Sequence, residues 1–329
     1  MKKVLWISVI SIVLTINMAP ISYAAGDYPN RPITIICPFT AGGLADFMAR
    51  TFAMSAQKYL GQPLVVVNKP GAGSLIGSLA VAQAAPDGYT LLLTHAALTG
   101  SMASEIAQGR KPPFSRNDFT PLGSFTKTTG CKVVAYDHPW KTMADLIREC
   151  KAKPNHYTYS SSGAGGSIWL EANLFFSATG IKVREIPYKG GGEVLTSVMG
   201  RHADFTIGGV SIVRPLAEAK KLRILSIARE KRIKSLPDVP TLEEFGVHNA
   251  NFFAWTGLFV RSKTPNDIVG KLKEVAEKVA KEKEFIDTVE KTGDEVAYMN
   301  GDEFANHWEL ESEMIAKLYE RLAKEKPLN

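Results

Sequence analysis

The stretch ITIICPFTAGGLADFMAR, Ile33 to Arg50, changes its hydrophobic pattern near its middle. Its first five residues are a continuous apolar run, typical of a buried strand, and the part that begins at Leu44 has the apolar spacing of a helix. Between them lie two adjacent glycines, Gly42 and Gly43, and no obvious catalytic side chain. A strand that passes through a turn of small residues into a helix predicts one βα unit of an α/β protein.

The same alternation continues along the chain. The segments that predict strands are PITIICP, LVVVN, YTLLLT, CKVVAY, YTYSS, VREIPY, ADFTIGG and LRILSIA. Most of them precede a segment with helical spacing, and this order favours parallel sheets covered by helices on both faces. With 329 residues, the chain has room for one large or two medium α/β domains. From Asn266 to Ala323 we expect two amphipathic helices that pack on the sheets.

The first 25 residues have the pattern of an export signal. Lys2 and Lys3 precede the apolar run VLWISVISIVLTI, which is too short for a comfortable membrane span. Small residues then stand at Ser22 and Ala24, the two positions that determine cleavage. The pattern predicts a cleaved signal peptide over residues 1–25 and a soluble, exported mature protein.

Charge and composition exclude several classes of function. Removing Lys2 and Lys3 lowers the formal net charge from +6 to +4, and export argues against a nucleic-acid partner. Cys37, Cys131 and Cys150 have no metal-ligand spacing, so we expect no metal. The glycines of GAGSLIG resemble a dinucleotide fingerprint, but the next strand ends without the acidic residue that binds ribose, and we expect no cofactor.

The cysteines leave one question open. Cys37 lies in the first predicted strand and is most simply a buried small hydrophobic residue. Cys131 begins a predicted strand and Cys150 ends the helix that returns antiparallel to it, so the two side chains either pair as a disulfide or remain free thiols.

Glycine-bearing turns follow several strands, in FTAGGLAD, NKPGAGSLIG, THAALTG, SSSGAGGS, YKGGGEV and IGGVS. In open α/β sheets, ligands bind beyond the carboxyl ends of the strands. A helix N-terminus offers unpaired N–H groups and a partial positive charge, and glycine lets this backbone approach a ligand closely. The turns therefore predict a site that holds a small anion with amides and with Thr40.

The evidence for an enzyme is weaker than the evidence for an anion-binding site. The sequence has no GxxxxGK[ST] phosphate loop, no GxSxG nucleophile elbow and no HExxH. His95 follows a strand, where a general base is often found, but no motif places a Ser or Cys nucleophile beside it. A hydrogen-bonding pocket histidine is favoured, and an exported enzyme that uses His95 stays a second, less favoured alternative.

Seven segments together resemble a known family. They are YPNRPITIICPFTAGGLAD, LGQPLVVVNKPGAGSLIG, APDGYTLLL, SSSGAGGS, IPYKGGGE, LPDVPTLEEFG and FFAWTGLFVRSKTP. Over the whole mature chain, the sequence is similar to the periplasmic solute-binding receptors of tripartite tricarboxylate transporters, also called Bug receptors. The resemblance implies a type II periplasmic-binding-protein fold, a Venus flytrap of two α/β lobes with two crossovers. Lobe one is then residues 26–130 with 251–329, and lobe two is residues 131–250.

The resemblance also implies a function and a site. The protein is then a monomeric receptor, without enzyme activity, that captures a small organic carboxylate in the interlobe cleft and delivers it to membrane permease subunits. A periplasmic sensor that feeds a signalling protein shares all these features and stays an alternative. The positions that match the family's ligand contacts are Phe39, Thr40, Ala41, Gly42, Gly43, Leu44, Ala45, Asp46, Thr94, His95, Ser161, Ser162, Gly163, Ala164, Gly165, Ser167, Tyr188, Lys189, Gly190, Asp204, Gly209 and Val210.

The helix after SSSGAGGS departs from the family pattern. Trp169 and Asn173 stand where the family commonly has a His and then a Glu. Trp169 either widens an apolar wall of the cleft or fills the core, and we favour the core. The departure leaves the receptor role intact but argues against the usual small amino-acid or citrate ligand.

Overall fold

A computed structural model of the chain describes residues 28–188, 191–248, 250 and 252–325. The signal peptide predicted over residues 1–25 lies outside this part of the chain, as do the predicted site residues Lys189 and Gly190. Among the described residues, no helix combines the length and the apolar character needed to cross a membrane.

Strands and helices alternate through most of the described chain. In order they are β1 Ile33–Cys37, α1 Leu44–Leu60, β2 Leu64–Asn68, α2 Leu75–Ala82, β3 Thr90–His95, α3 Ala97–Ala107, β4 Phe119–Ala135, α4 Met143–Ala152, β5 Thr158–Ser161, α5 Ser167–Thr179, β6 Arg184–Pro187, α6 Gly191–Met199, β7 Phe205–Gly209, α7 Val210–Glu218, β8 Leu222–Ile227, β9 Phe253–Arg261, α8 Asn266–Lys281, α9 Lys283–Lys291, β10 Val296–Asn300 and α10 Gly301–Glu325. The first strand and the start of the first helix lie where the opening stretch predicts them.

Two sheets share the long strand β4. Along the continuous hydrogen-bonded path the strand order is β2-β1-β3-β9-β4-β7-β5-β6, and β10 and β8 also pair with β4. The first half of β4 pairs with β9 and the second half with β7 and β8. We call the part built on β1, β2, β3, β9 and β10 lobe one, and the part built on β5 to β8 lobe two.

The length of β4 corrects one prediction. CKVVAY was expected to be a separate strand, but it is the second half of a 17-residue strand that runs through both lobes. The polar residues from Thr126 to Thr129 look like a break in the sequence, yet β9 pairs with this region of β4. Their backbone is therefore satisfied by the sheet, and one strand carries the chain from one lobe to the other.

Strand direction is mixed. β1 runs parallel to β2 and β3, and β5 runs parallel to β6 and β7. β4 is antiparallel to β7, β8, β9 and β10, and β9 is also antiparallel to β3. The expectation of parallel sheets is correct for the outer strands of each lobe and wrong for the strands around β4.

The C-terminal segment contains more elements than expected. Two amphipathic helices were predicted from Asn266 to Ala323, whereas the structure has α8, α9, the strand β10 and α10. The predicted apolar faces are nevertheless correct, because Leu272 and Val279 of α8 and Trp308 of α10 are buried. β10 was missed because none of its side chains is fully buried and it lacks a clear apolar pattern.

The structure decides between the two alternatives for Cys131 and Cys150 in favour of free thiols. All three cysteines are buried free thiols. Cys131 packs in one hydrophobic cluster with Val133, whereas Cys150 packs in another with Val134. Because successive residues of a strand point to opposite faces, the two thiols lie on opposite sides of β4.

Candidate ligand-binding site

The turn between β1 and α1 is shaped by its own residues. Gly42 has a φ of +82°, a conformation that favours glycine, and its N–H donates to Asp46 Oδ2 over 2.9 Å. Arg50 pairs with Asp46 Oδ1 at 2.9 Å, and Asn68 Nδ2 donates to the same oxygen at 2.9 Å. Burial acts to raise the pKa of Asp46, but the hydrogen bonds from Arg50, Gly42 and Asn68 lower it overall. Asp46 therefore holds the turn in place.

The part of this turn that a ligand can reach is exposed backbone. Residues 40–43 are exposed, Phe39 and Leu44 are half-buried, and Ala45 is buried in the core. Gly43 is the N-cap of α1 and carries no side-chain cap, so the first N–H groups of the helix keep their donor capacity. Of the predicted contacts, residues 39–44 remain candidates, whereas Ala45 and Asp46 serve the fold.

His95, at the carboxyl end of β3, lies against the same turn. Its ring stacks on Phe39 with 4.0 Å between ring centroids. His95 Nδ1 accepts a hydrogen bond from the Ala97 N–H at 3.2 Å, so the neutral ring carries its proton on Nε2. Burial lowers the pKa of His95 to about 4, and the ring is a neutral donor at pH 7. Thr94 is fully buried and, by the alternation of the strand, points to the other face.

The turn between β5 and α5 provides the matching element of lobe two. Ser161 Oγ donates to Glu185 and accepts from the Gly163 N–H at 2.9 Å, and the Tyr188 N–H donates to the Ser161 carbonyl at 2.9 Å. Gly163 and Gly165 both have a positive φ, so the turn depends on glycine at these two positions. The hydroxyl and the carbonyl of Ser161 therefore stabilise the turn.

Other parts of the same turn remain available. Ser162 is half-buried and Ala164 is exposed. α5 begins at Ser167 behind the N-cap Gly166, which makes no side-chain cap. Ser167 Oγ is buried without a hydrogen-bond partner among the described residues.

Trp169 belongs to the packing between the lobes. Its ring stacks on Tyr319 of α10 with 5.1 Å between centroids, and its Nε1 donates to Glu185 at 3.2 Å. Asn173 Nδ2 donates back to the Trp169 carbonyl at 2.8 Å. Only 9% of Trp169 is exposed and it packs in the core, as the favoured interpretation expects. Because its ring fills the core, the departure from the family pattern gives no reason to exclude a small amino-acid ligand.

The end of β7 brings Gly209 and Val210 to the same region. Gly209 pairs with Gly130 of β4 and is the uncapped N-cap of α7. A small cavity of about 60 Å³ lies between Gly209, Ser167 and Thr128. Two of the three predicted glycine turns of lobe two, SSSGAGGS and IGGVS, therefore meet beside β4.

Asp204 is not part of this group. It precedes β7 at the strand's amino end, and its carboxylate accepts hydrogen bonds from the Thr158 N–H at 2.7 Å and the Thr158 hydroxyl at 2.9 Å. Gly209 follows Asp204 by five positions, so the two lie about 16 Å apart along an extended chain. Its carboxylate ties the amino ends of β5 and β7 together, so we leave Asp204 out of the candidate site.

Three helices therefore begin at this site without a side-chain cap: α1, α5 and α7. A side-chain cap is not general in this chain, because α2, α3, α8 and α9 also lack one. α4 begins elsewhere with a complete capping box, in which Thr142 accepts from the Asp145 N–H and the Asp145 carboxylate accepts from the Thr142 N–H. What distinguishes α1, α5 and α7 is that their uncapped starts lie at one site. A cap stabilises a helix by typically about 1 kcal/mol. Its absence at three neighbouring helix starts leaves N–H groups and partial positive charge for an external anion.

Sequence reasoning missed the floor between these turns. His95, Thr256 and Thr126 are directly opposite one another on β3, β9 and β4 and share one face of the sheet, and Thr128 follows two residues along β4. The hydroxyls of all three threonines are buried without a partner among the described residues. We call His95, Thr256, Thr126 and Thr128 the polar row. Only strand register reveals it, although the run TKTTG was a visible signal.

The two α/β lobes that share a strand, with glycine turns at the strand ends, have the periplasmic-binding-protein fold. The chain belongs to the tripartite tricarboxylate transporter family of receptors, because the family model described as "Tripartite tricarboxylate transporter family receptor" matches residues 48–323. The Bug-receptor resemblance and the fold expected from it are thereby confirmed.

Similar proteins and similar solved structures support the same family. BugT of Bordetella pertussis is 32% identical over 252 residues, which cover 76% of each chain. MatC from Rhodopseudomonas palustris, solved with bound malate, is 25% identical with a TM-score of 0.77 over 89% of this chain and 100% of that one. An R. palustris protein solved with adipate is 27% identical with a TM-score of 0.79 over 89% of this chain and 98% of that one. This protein is therefore a member of a family of solute-binding receptors.

Proposed function

We propose that the protein captures a small organic carboxylate between its two lobes and delivers it to the permease subunits of a tripartite tricarboxylate transporter. It acts in the periplasm as a monomer, exported by a signal peptide over residues 1–25. Lobe one is residues 26–130 with 251–329, and lobe two is residues 131–250. The observation that carries the proposal is the group of three uncapped helix starts of α1, α5 and α7.

A carboxylate suits this site because the donors around it are neutral or only partly charged. Backbone N–H groups at helix starts hold an anion without a buried cation, which would cost desolvation energy. The His95 Nε2–H adds a neutral side-chain donor in lobe one. The malate and adipate of the two structural relatives support the same ligand class.

Capture requires closure of one lobe on the other. A ligand favours the closed form only through contacts that it makes better there. In our proposal, lobe one contributes the amides after Thr40 and the ring of His95, and lobe two contributes Ser162 and the starts of α5 and α7. Binding across both lobes then stabilises the closed form by hinge motion.

Substitution of Gly43 tests the site. Gly43 has extended backbone angles (φ −83°, ψ 171°) that valine adopts, and an added Cβ would lie 3.5 Å from the Thr40 carbonyl oxygen, an ordinary contact. Gly43→Val should therefore fold normally while its side chain covers the amides. We expect calorimetry against malate and adipate to show binding to the wild type and at least tenfold weaker binding to the variant.

The matched control is Gly270→Val, on an exposed part of α8 where an added Cβ meets nothing within 4 Å. It should bind like the wild type. Equal affinities for Gly43→Val and the wild type would reject the site. Uptake of the labelled carboxylate by a deletion strain, restored by the wild type but not by Gly43→Val, separates transport from sensing.

A further inference from the structure

The segment Gly293 to Glu295, between α9 and β10 of lobe one, touches lobe two directly. A Cβ on Gly293 would lie 3.4 Å from Arg214 Cζ and 3.6 Å from the Cα of Ser211, both in α7. The Glu295 carboxylate pairs with Arg229, just after β8, and the Glu295 carbonyl accepts from the Lys127 N–H of β4 at 3.3 Å. This segment is therefore part of the junction between the lobes.

Asp294 is the unusual member of the segment. Only 4% of it is exposed, and its carboxyl makes no well-aligned hydrogen bond within the described chain, although the hydroxyls of Ser211 and Thr128 lie close to it. Burial raises its pKa, while the nearby hydroxyls of Ser211 and Thr128 act in the opposite direction. An unpaired polar group at this depth costs folding energy, so its presence calls for a compensating role.

The surroundings of Asp294 connect it to the proposed site. Thr128, the last member of the polar row, has a buried hydroxyl without a partner among the described residues. An added Cβ on Gly209, the N-cap of α7, would lie 3.1 Å from Thr128 Cγ2 and 3.8 Å from Ser211 Oγ. Asp294 thus adjoins both the start of α7 and the end of the polar row that leads from His95.

The charged groups near Asp294 face other carboxylates. Arg229 pairs with Glu295, and Arg214 Nε lies 3.7 Å from Glu218, although this nitrogen is buried without a hydrogen bond within the described chain. No ion pair to the Asp294 carboxyl occurs within the described chain. The carboxyl therefore keeps its capacity to accept hydrogen bonds from a group that enters the cleft.

We propose that Asp294 is a specificity-determining residue that accepts a hydrogen bond from a hydroxyl or ammonium group next to the ligand's carboxylate. This inference rests on the proposed function and adds a ligand class to it: carboxylates with a donor at the neighbouring carbon, in preference to unsubstituted dicarboxylates. The carboxylate occupies the helix starts, and its neighbouring carbon then faces Thr128 and Asp294. A ligand without a donor at this carbon leaves the Asp294 carboxyl without a hydrogen bond. If the ligand's second carboxylate lies next to Asp294 instead, the two negative charges repel each other.

Three ligands with one carbon skeleton test the proposal: succinate, malate and L-aspartate differ only in the substituent at carbon 2. We expect the wild type to bind malate or aspartate at least tenfold more tightly than succinate in calorimetry. Asp294→Ala should bring the three affinities within about threefold of one another. A purely structural role would weaken all three ligands together and leave their ratios unchanged.

Asp294→Asn is the second variant, because it preserves size and one acceptor oxygen. It should keep the preference for malate over succinate and reduce the preference for aspartate, since an amide pairs poorly with an ammonium group. If the wild type binds all three ligands equally, or if Asp294→Ala leaves the affinity ratios unchanged, the role of Asp294 is rejected and the proposed function still stands. A wild type that binds neither these acids nor adipate overturns the proposed function with it.

Discussion

Gly100 of α3 and Gly165 of the turn before α5 touch backbone to backbone across the two lobes. A Cβ on Gly100 would lie 2.0 Å from the Gly165 carbonyl oxygen, and one on Gly165 would lie 2.7 Å from the Gly100 carbonyl oxygen. No side chain larger than hydrogen fits at either position unless the backbone moves. The approach of the lobe-two turn to lobe one is therefore limited by these two glycines.

Gly100→Ala should prevent the closest approach of the lobes. The added methyl group also meets Leu170 Cδ1 at 2.8 Å, so we expect a loss of about 1–3 kcal/mol from overpacking in this conformation. Carboxylate affinity should fall at least tenfold, and small-angle scattering should show a larger radius of gyration for the ligand-saturated variant than for the wild type.

The control for this change is Gly270→Ala, in an open position of α8. It should leave affinity unchanged and, as an alanine in a helix, stabilise the fold by a few tenths to about 1 kcal/mol. If Gly100→Ala binds and contracts like the wild type, the contact between Gly100 and Gly165 does not limit closure.

The sequence and the structure agree best where the signal is local. The strand Ile33–Cys37 and the start of α1 at Leu44 have the predicted bounds, because an apolar run, a glycine turn and a helical pattern follow one another directly. The identity of β4 depended instead on pairing with β9, more than 100 residues later in the chain, and the polar run hid it.

The candidate site also has a part that local sequence motifs predict and a part that depends on distant segments. The glycine turns could be predicted because each is a short motif at a strand end. Asp46 and Ser161 matched those motifs, yet their hydrogen bonds lie within the turns, and only the folded structure reveals this. Thr126, Thr256 and Asp294 come from three distant segments, and register or loop packing brings them near His95 and Thr128.

The tautomer of His95 is a direct prediction from its hydrogen bond. With Nδ1 accepting from the Ala97 N–H, nitrogen-15 NMR at pH 7 should show a neutral ring protonated on Nε2. The signal, assigned by its loss in His95→Gln, should titrate with a midpoint near the depressed pKa of about 4.

The same pKa has a consequence for stability. The unfolded chain binds a proton at His95 below its ordinary pKa of 6.5, whereas the folded chain does so only near pH 4. This residue's contribution to stability is therefore present above pH 6.5 and is lost as the pH falls toward 4. A ring protonated on Nδ1, or one that titrates at its ordinary pKa, would contradict the arrangement seen here.

The buried ion pair between Lys132 and Glu171 should be strongly destabilised by removal of one partner. Lys132 is fully buried, Glu171 is 5% exposed, and the Lys132 Nζ also lies 5.9 Å from the ring of Phe175. Lys132→Met leaves a buried carboxylate without its cation, which typically costs about 3–5 kcal/mol in urea unfolding. The double variant Lys132→Met/Glu171→Leu should recover most of this loss.

An exposed pair provides the control for that measurement. Lys283 is 87% exposed and lies 2.7 Å from Asp287 on one face of α9. Lys283→Met should change the free energy of unfolding by less than about 1 kcal/mol. Equal effects of the two lysine substitutions would mean that the pair between Lys132 and Glu171 is solvated in solution.

Glu311 of α10 should make stability depend on pH near neutrality. It is 4% exposed, and its two carboxyl oxygens accept from Thr99 Oγ1 at 3.0 Å and Trp255 Nε1 at 2.9 Å. Burial raises its pKa from 4.5 to about 8, although both hydrogen bonds act to lower it. Between these two pH values the folded chain holds a proton that the unfolded chain has lost. Stability therefore falls as the pH rises through this window, by at most about 1.4 kcal/mol per pH unit.

The test compares Glu311→Gln with the wild type in urea unfolding at several pH values from 5 to 9. The variant is neutral throughout, so its stability relative to the wild type should increase as the pH rises from 5 to 8 and then level off. Glu320 is exposed on the same helix, so the stability of Glu320→Gln should change with pH in the same way as that of the wild type. If the stability of Glu311→Gln also follows that of the wild type at every pH, the Glu311 carboxyl ionises at its ordinary pKa in the folded protein. α10 would then pack more loosely against Trp255 than the structure shows.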